Sequence, residues 1–308
     1  MSIVVNGITT KNVVFNGKDV SLVQNQSALT IFKKNVPGIV WTQSNVKYGY
    51  FDGGARYANG IWVACSSSNK GLYYSTDGKS WTRSNVTDVS FSGGARYANG
   101  IWVACSSNKG LYYSTDGKSW TQSNVTDGSF GGGARYANGI WVACGGEGLY
   151  YSTNGKSWYR DFADDSFSGG ARYANGIWVA CSSNKGLYYS TNDESWTQSN
   201  VTDGSFGGGA RYANGIWVAC SITVQTGLYY STDGKSWTQS NVTNGYFDGG
   251  ARYANGIWVA CSNKGPYYST DGKSWTQSNV TDVSFSGGAR YANGIWVAGS
   301  TAGPYYSE

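Results

Sequence analysis

Seven arginines, Arg56, Arg96, Arg135, Arg172, Arg211, Arg252 and Arg290, each stand six positions before a tryptophan in one unchanged segment, Gly-Gly-Ala-Arg-Tyr-Ala-Asn-Gly-Ile-Trp-Val-Ala. A planar guanidinium beside an indole can hold a sugar, by forked donation to its hydroxyls and stacking on its ring. Pockets of that kind would join the arginines to tryptophans such as Trp62 and Trp102. The plainer reading makes each arginine a donor to backbone carbonyls at a strand edge. Cys65, Cys105, Cys144, Cys181, Cys220 and Cys261 recur with the same period, and Gly299 takes the seventh place. Positions one period apart lie too far from one another for disulfides, and the spacing fits no zinc motif. These thiols read as small core residues of a chain that folds in a reducing cytoplasm. Histidine is absent, and the only glutamates are Glu147, Glu194 and Glu308. That removes the usual general base, the Ser-His and Cys-His nucleophile pairs and the commonest zinc ligand. The residues point away from an enzyme and imply neither cofactor nor metal.

Charge narrows the partners. Charged residues are 13% of the 308, with 23 basic and 18 acidic side chains scattered along the chain. No Lys/Arg run marks a nucleic-acid or membrane surface. No apolar stretch approaches the roughly 20 residues of a membrane span. Met1-Ser2-Ile3-Val4-Val5-Asn6-Gly7 lacks the basic and apolar regions of a secretory signal.

The elements that must position these residues follow from the period. The seven arginines are 40, 39, 37, 39, 41 and 38 residues apart, and 13 of the 14 tryptophans fall in two series locked to that spacing. Within one period, Ala55–Ala58 and Ile61–Cys65 flank Asn59-Gly60, a strong hairpin signal because both turn residues need positive φ. Leu72–Ser75 reads as a third strand, Thr76–Lys79 as a second tight turn and Ser80–Ser84 as a fourth strand. Four short antiparallel strands in about 40 residues make one propeller blade. The fold class is therefore all-β, a seven-bladed propeller over residues 37–308. The last period ends at Tyr305-Tyr306-Ser307-Glu308 without a Ser-Trp-Thr strand, and Val40-Trp41-Thr42-Gln43-Ser44-Asn45 matches the strand it lacks. That segment is expected to complete the last blade, which would hide the edges of an open ring. Asn85, Asn124, Asn200, Asn241 and Asn279, each followed by Val-Thr, read as strand-end residues.

The turn Ser75-Thr76-Asp77-Gly78-Lys79-Ser80-Trp81 resembles the Asp-box of sialidase-like propellers, a Ser-x-Asp-x-Gly-x-Thr-Trp hairpin. It recurs from Ser114, Ser152, Ser190, Ser231 and Ser269, so the likeness covers nearly 90% of the chain at the level of repeats. Here the turn is one residue shorter, and Asn154 and Asn192 replace the acid in two blades. The resemblance implies an acid that caps its own turn and a tryptophan that packs between blades. It implies a fold, not sialidase activity, since identical blades do not build that enzyme's asymmetric arginine cluster with its Tyr/Glu pair. The order of arginine, tryptophan and Asp-Gly-Lys-x-Trp is also similar to small fucose-binding propeller lectins, which add an acidic partner at each site.

Residues 1–36 stand outside the period. Ile3–Thr9 and Val13–Val20 are β-rich pieces with Asn-Gly turns. They resemble the short leader of bacteriophage tail proteins, which implies attachment to a larger assembly or a homo-oligomer, and a place in a virion.

Blades compared with one another locate the variation. Both tight turns fall on one rim and barely change. On the opposite rim the loop after the second strand ranges from Gly145-Gly146-Glu147 to Ser221-Ile222-Thr223-Val224-Gln225-Thr226. The loop before the first strand changes too, carrying Tyr48, Tyr50 and Asp52, then Asp88, then Asp127, then Tyr246 and Asp248. Phe51 and its six equivalents do not change and read as core anchors. The expected function is a non-enzymatic binding module for a glycan or cell-surface receptor, through this rim or the arginine seams. The alternative is a structural or protein-interaction ring.

Overall fold

The computed structural model describes residues 12–15, 18–25, 28–33, 43–46, 50–51, 53–68, 71–163, 165–192, 195–223, 226–285 and 288–307. The chain divides into two compact units, Met1–Lys47 and Tyr48–Glu308, a later boundary than the one the repeats place after residue 36. Val40, Trp41 and Thr42 of the expected closing strand lie outside the described residues, as do Ile3–Thr9, Tyr48 and Asp52, and Gln43–Asn45 are described without strand pairing.

The first unit holds a three-stranded antiparallel sheet, Asn12–Phe15, Lys18–Asn25 and Ala28–Lys33 in that order. Its third strand was not foreseen in the sequence, where only the segments with Asn-Gly turns gave a signal.

The second unit is seven antiparallel sheets in succession, each made of consecutive strands. The first sheet is Ala55–Ala58, Ile61–Cys65, Leu72–Ser75 and Thr82–Arg83. Five more sheets also have four strands, and the seventh has three: Ala289–Ala292, Ile295–Ser300 and Gly303–Ser307. The first hairpin pairs Tyr57 with Trp62 and Arg56 with Val63, the register that a two-residue turn dictates. Asn59 at φ 48° and Gly60 at φ 76° supply the two left-handed residues that turn needs. The fourth strand is shorter than the sequence implies, only Thr82–Arg83 in the first blade, because the preceding turn takes up the serine and tryptophan. In the third blade the Tyr-Arg-Asp-Phe departure instead forms a longer edge, Tyr159–Ala163, with a register shift opposite Leu149 and Tyr150.

The core lies between sheets, because each strand is too short to bury much within its own sheet. One cluster joins Ile61, Val63 and Cys65 of the first blade to Phe91, Ala95, Trp102 and Trp120 of the second. The next seam repeats it with Ile101, Val103 and Cys105 against Phe130, Ala134, Trp141 and Trp158. Trp102, Trp141, Trp178, Trp217 and Trp258 are fully buried, as are the phenylalanines from Phe91 to Phe285 that the sequence marked as anchors. An indole buries roughly 150–250 Å². That outweighs the cost of leaving the five buried indole N–H groups without a hydrogen-bond partner among the described residues.

Glycine is needed here for two separable reasons. A Cβ on Gly186 would lie 1.9 Å from the carbonyl oxygen of Val201, at φ +77°, whereas Gly215 has φ +78° and nothing within 4 Å. Gly215→Ala is therefore expected to cost only backbone strain, about 1–2 kcal/mol. Gly186→Ala should cost that plus about 1–3 kcal/mol of overpacking. Paired urea melts of the two variants check the difference, and equal midpoints would contradict it.

Candidate functional site

Each repeated arginine sits on the first, innermost strand of its blade. Arg96 pairs with Val103, whose side chain packs in the seam with the third blade, whereas Trp102 pairs with Tyr97 and packs against the first blade. Arginine and tryptophan therefore leave opposite faces of one sheet. Within one blade, Arg56 and Trp62 therefore lie on opposite faces, as do Arg96 and Trp102, and Trp102 presents no ring face to solvent at 0% exposure. The arginines instead donate to backbone. Nη1 of Arg56, Arg96, Arg211, Arg252 and Arg290 reaches the carbonyl of its own preceding alanine at 3.0–3.5 Å. Arg96, Arg135, Arg172, Arg211 and Arg252 are half-buried, and Arg56 and Arg290, in the first and last blades, are exposed.

Electrostatics shows how these side chains relate. Arg172 is pushed down to about 9, by burial first and then by the charges of Arg211, Arg135, Arg252 and Arg96. Arg135 falls to about 10, by burial and then by Arg96 and Arg211. Guanidinium groups of neighbouring and next-nearest blades thus lower one another's titration. Each buried thiol lies beside them yet stays protonated. Burial pushes Cys65, Cys105, Cys144, Cys181 and Cys220 up to about 12 and Cys261 to about 11.

One rim is held by polar turns. In the first blade Ser75 Oγ donates to Asp77 Oδ1 at 2.9 Å, and the same oxygen accepts the Lys79 and Ser80 N–H groups at 2.8 Å each. Trp81 Nε1 donates to the Gly78 carbonyl at 3.1 Å. Asn154 supplies the same acceptor to Lys156 and Ser157, which is why asparagine substitutes at that place. A feature missed in the sequence joins neighbouring blades: Asn85 accepts the Trp120 N–H at 2.8 Å and donates to the Trp120 carbonyl at 2.9 Å. Asn124, Asn200 and Asn241 clamp Trp158, Trp237 and Trp275 in the same way. The signal was present as an unchanged asparagine 34 to 37 residues before each of these tryptophans. Its meaning required knowing which blades adjoin.

The opposite rim has a constant frame and changing side chains. In every blade the residue before the anchoring phenylalanine accepts a backbone N–H from the loop after the second strand, Ser67 to Tyr50, Ser107 to Ser90, Gly146 to Ser129 and so on to Thr301 to Ser284. On that frame Tyr50 is 74% exposed and Tyr246 41%, while serines occupy the same place in neighbouring blades. Asp88 is exposed at φ 61° and pairs with Arg83 at 3.7 Å. Asp127 and Asp248 are exposed, and burial of part of its surroundings raises the Asp248 carboxyl.

A cavity of about 340 Å³ opens in the seam between the sixth and seventh blades, lined by Ile257, Val259, Tyr268, Asn279, Trp296 and Tyr306 among others. Ile61, Val63, Tyr74 and Asn85 hold the matching positions in the first seam, where they surround Trp120.

No protein-family model matches this chain, and no curated protein matches it. Solved structures do resemble it. The computationally designed Ika8 protein has a TM-score of 0.61 at 8% identity, over 97% of this chain and 96% of that one. BamB from Moraxella catarrhalis gives 0.55 at 10% identity, over 80% and 78% of the two chains. YCF48 bound to D1 peptide gives 0.50 at 14%, over 83% and 88%. These likenesses show the fold. It is an all-β, seven-bladed propeller.

Two measurements follow from the titrating groups. Hydrogen bonds from Ser80, then Lys79 and Ser75, hold Asp77 down to about 2 from 3.8. Asp271 is lowered first by Ser274, and in Asp116 and Asp233 such bonds outweigh burial, the largest single influence, which raises them. A depressed carboxyl stabilises the fold above its unfolded pKa, and the gain is lost as pH falls through the folded value. Acid titration should therefore erode stability mainly between about pH 4 and pH 2, and changing the four acids to asparagine should flatten that slope. For the thiols, Ellman's reagent at pH 8 should find none reactive in the native protein and six after denaturation; a reactive native thiol would contradict their burial.

Proposed function

We propose that this protein is a non-enzymatic binding module whose variable rim recognises a glycan or a cell-surface receptor, as a component of a bacteriophage tail or similar particle. The supporting observation is the rim itself. One backbone hydrogen bond recurs in all seven blades while the side chain beside it changes from tyrosine to serine. A fixed frame with exchangeable polar and aromatic groups suits recognition, because the backbone needs no reordering when a partner binds. A glycan array followed by titration calorimetry tests it. Tyr50→Ala with Tyr246→Ala should weaken binding by roughly ten-fold or more while leaving the melting temperature within a degree or two. Flat titrations across a broad panel would count against glycans, and hydrolysis of a fluorogenic sialoside would overturn the non-enzymatic reading.

The second reading, a protein-interaction ring, draws on the seam cavity. Its lining matches the seats that hold a clamped tryptophan elsewhere, so it suits a strand carrying Trp-Thr-Gln-Ser-Asn. Val40–Asn45 has that sequence, and ring closure by this strand is part of the proposal. Trp41→Ala and Asn279→Ala should each lower the unfolding midpoint, the first by about 2–4 kcal/mol of stability. If neither variant moves it, the seat serves a different partner.

A further inference from the structure

We propose that the inner-strand arginines form a site for a small multivalent oxyanion of phosphate or sulfate chemistry, centred on Arg135, Arg172 and Arg211. This inference is independent of the rim.

Placement comes first. The inner strands of consecutive blades are in contact. Glycines at or just before those strands mark where they crowd most. A Cβ on Gly133 would lie 2.9 Å from the Gly93 carbonyl oxygen, and Gly170 and Gly209 meet Gly132 and Gly169 in the same way. Arg135, Arg172 and Arg211 follow two residues after these glycines, so the three arginines leave neighbouring strands just past these close approaches. All three are half-buried, and so are Arg96 and Arg252 beside them.

Balance of charge comes second. Among the described residues the one ion pair is Arg83 with Asp88, on the variable rim. Among the described residues no carboxylate forms an ion pair with any of the seven arginines. The nearby cysteines are neutral thiols and supply no countercharge. A guanidinium has five N–H donors, and in Arg211 the bond to the Ala210 carbonyl uses one, so most of its fork is left to bind. Like charges gathered out of water destabilise one another, and an anion seated among them would reverse that sign. Burial and mutual repulsion, which hold Arg172 near 9 and Arg135 near 10, record the same crowding.

Geometry then selects the ligand class. Donors converge from several blades, so acceptor oxygens are needed on more than one side. A tetrahedral phosphate or sulfate group offers three or four, and guanidinium forks match such groups bidentately. A single carboxylate would engage one or two of the arginines and leave the rest unanswered.

The test uses the full chain with sodium tripolyphosphate and sodium sulfate as probes, and sodium chloride at equal ionic strength as control. Calorimetry should show one saturable site per chain, with a rise in melting temperature that chloride does not give. Arg172→Gln with Arg211→Gln should weaken tripolyphosphate binding by roughly ten-fold or more. Without anion the same variant should melt at or above the wild-type temperature, because repulsion has been removed; this also shows that it folds. Arg172→Lys with Arg211→Lys keeps the charge and loses the fork, and should bind with intermediate strength. Tyr50→Ala should bind the anion as wild type does, which separates this site from the rim. Stabilisation that never saturates, that chloride reproduces, or that survives in the Gln variant would overturn the proposal.

Discussion

Close approach between neighbouring sheets is the constraint from which the other features descend. A Cβ on Gly93 would sit 2.2 Å from the Phe130 carbonyl oxygen and 2.6 Å from Cys105 Cβ, so no side chain fits there. Each seam is a wedge. Glycine stands where strands approach most closely, while valine, cysteine, phenylalanine and tryptophans of both series fill the space between sheets. Hydrophobic burial between sheets supplies the stability that two- to six-residue strands cannot supply within a sheet. The asparagine clamps and self-capped turns then fix how Trp120 and its equivalents enter their seams.

Because the seams carry stability, the loops of one rim are released from it. Their backbone is tied by the same bond in every blade, so a change of side chain there costs little folding energy. That separation explains how near-identical blades can carry Tyr50 in one place and serine in the next. The opposite rim is not free to drift in the same way, since its aspartates and asparagines cap the turns that seat the tryptophans.

The arginines occupy the one place where the wedge constraint works against them. Crowded inner strands leave five like charges half-buried, and an alanine carbonyl accepts a hydrogen bond without neutralising charge. A residue that were purely a backbone donor could be replaced by a neutral one without electrostatic penalty, and the proposed anion site would give a reason for arginine at this place.

The period, the Asn-Gly turns and the tryptophan series determined the number of blades, the strand order and the pairing of Arg56 with Val63, because these depend on local turn geometry and the two-residue alternation of strands. The same logic identified the anchoring phenylalanines and the buried thiols. Sequence could not tell which face of which neighbour a side chain meets. It therefore left open which tryptophan neighbours each arginine, although the sheet sends Arg96 and Trp102 to opposite faces, and took Asn85 for a simple strand end although it clamps a tryptophan one blade away. Those relations are set by contacts between residues about 35 or more positions apart, and only the packing of one sheet on the next brings them together.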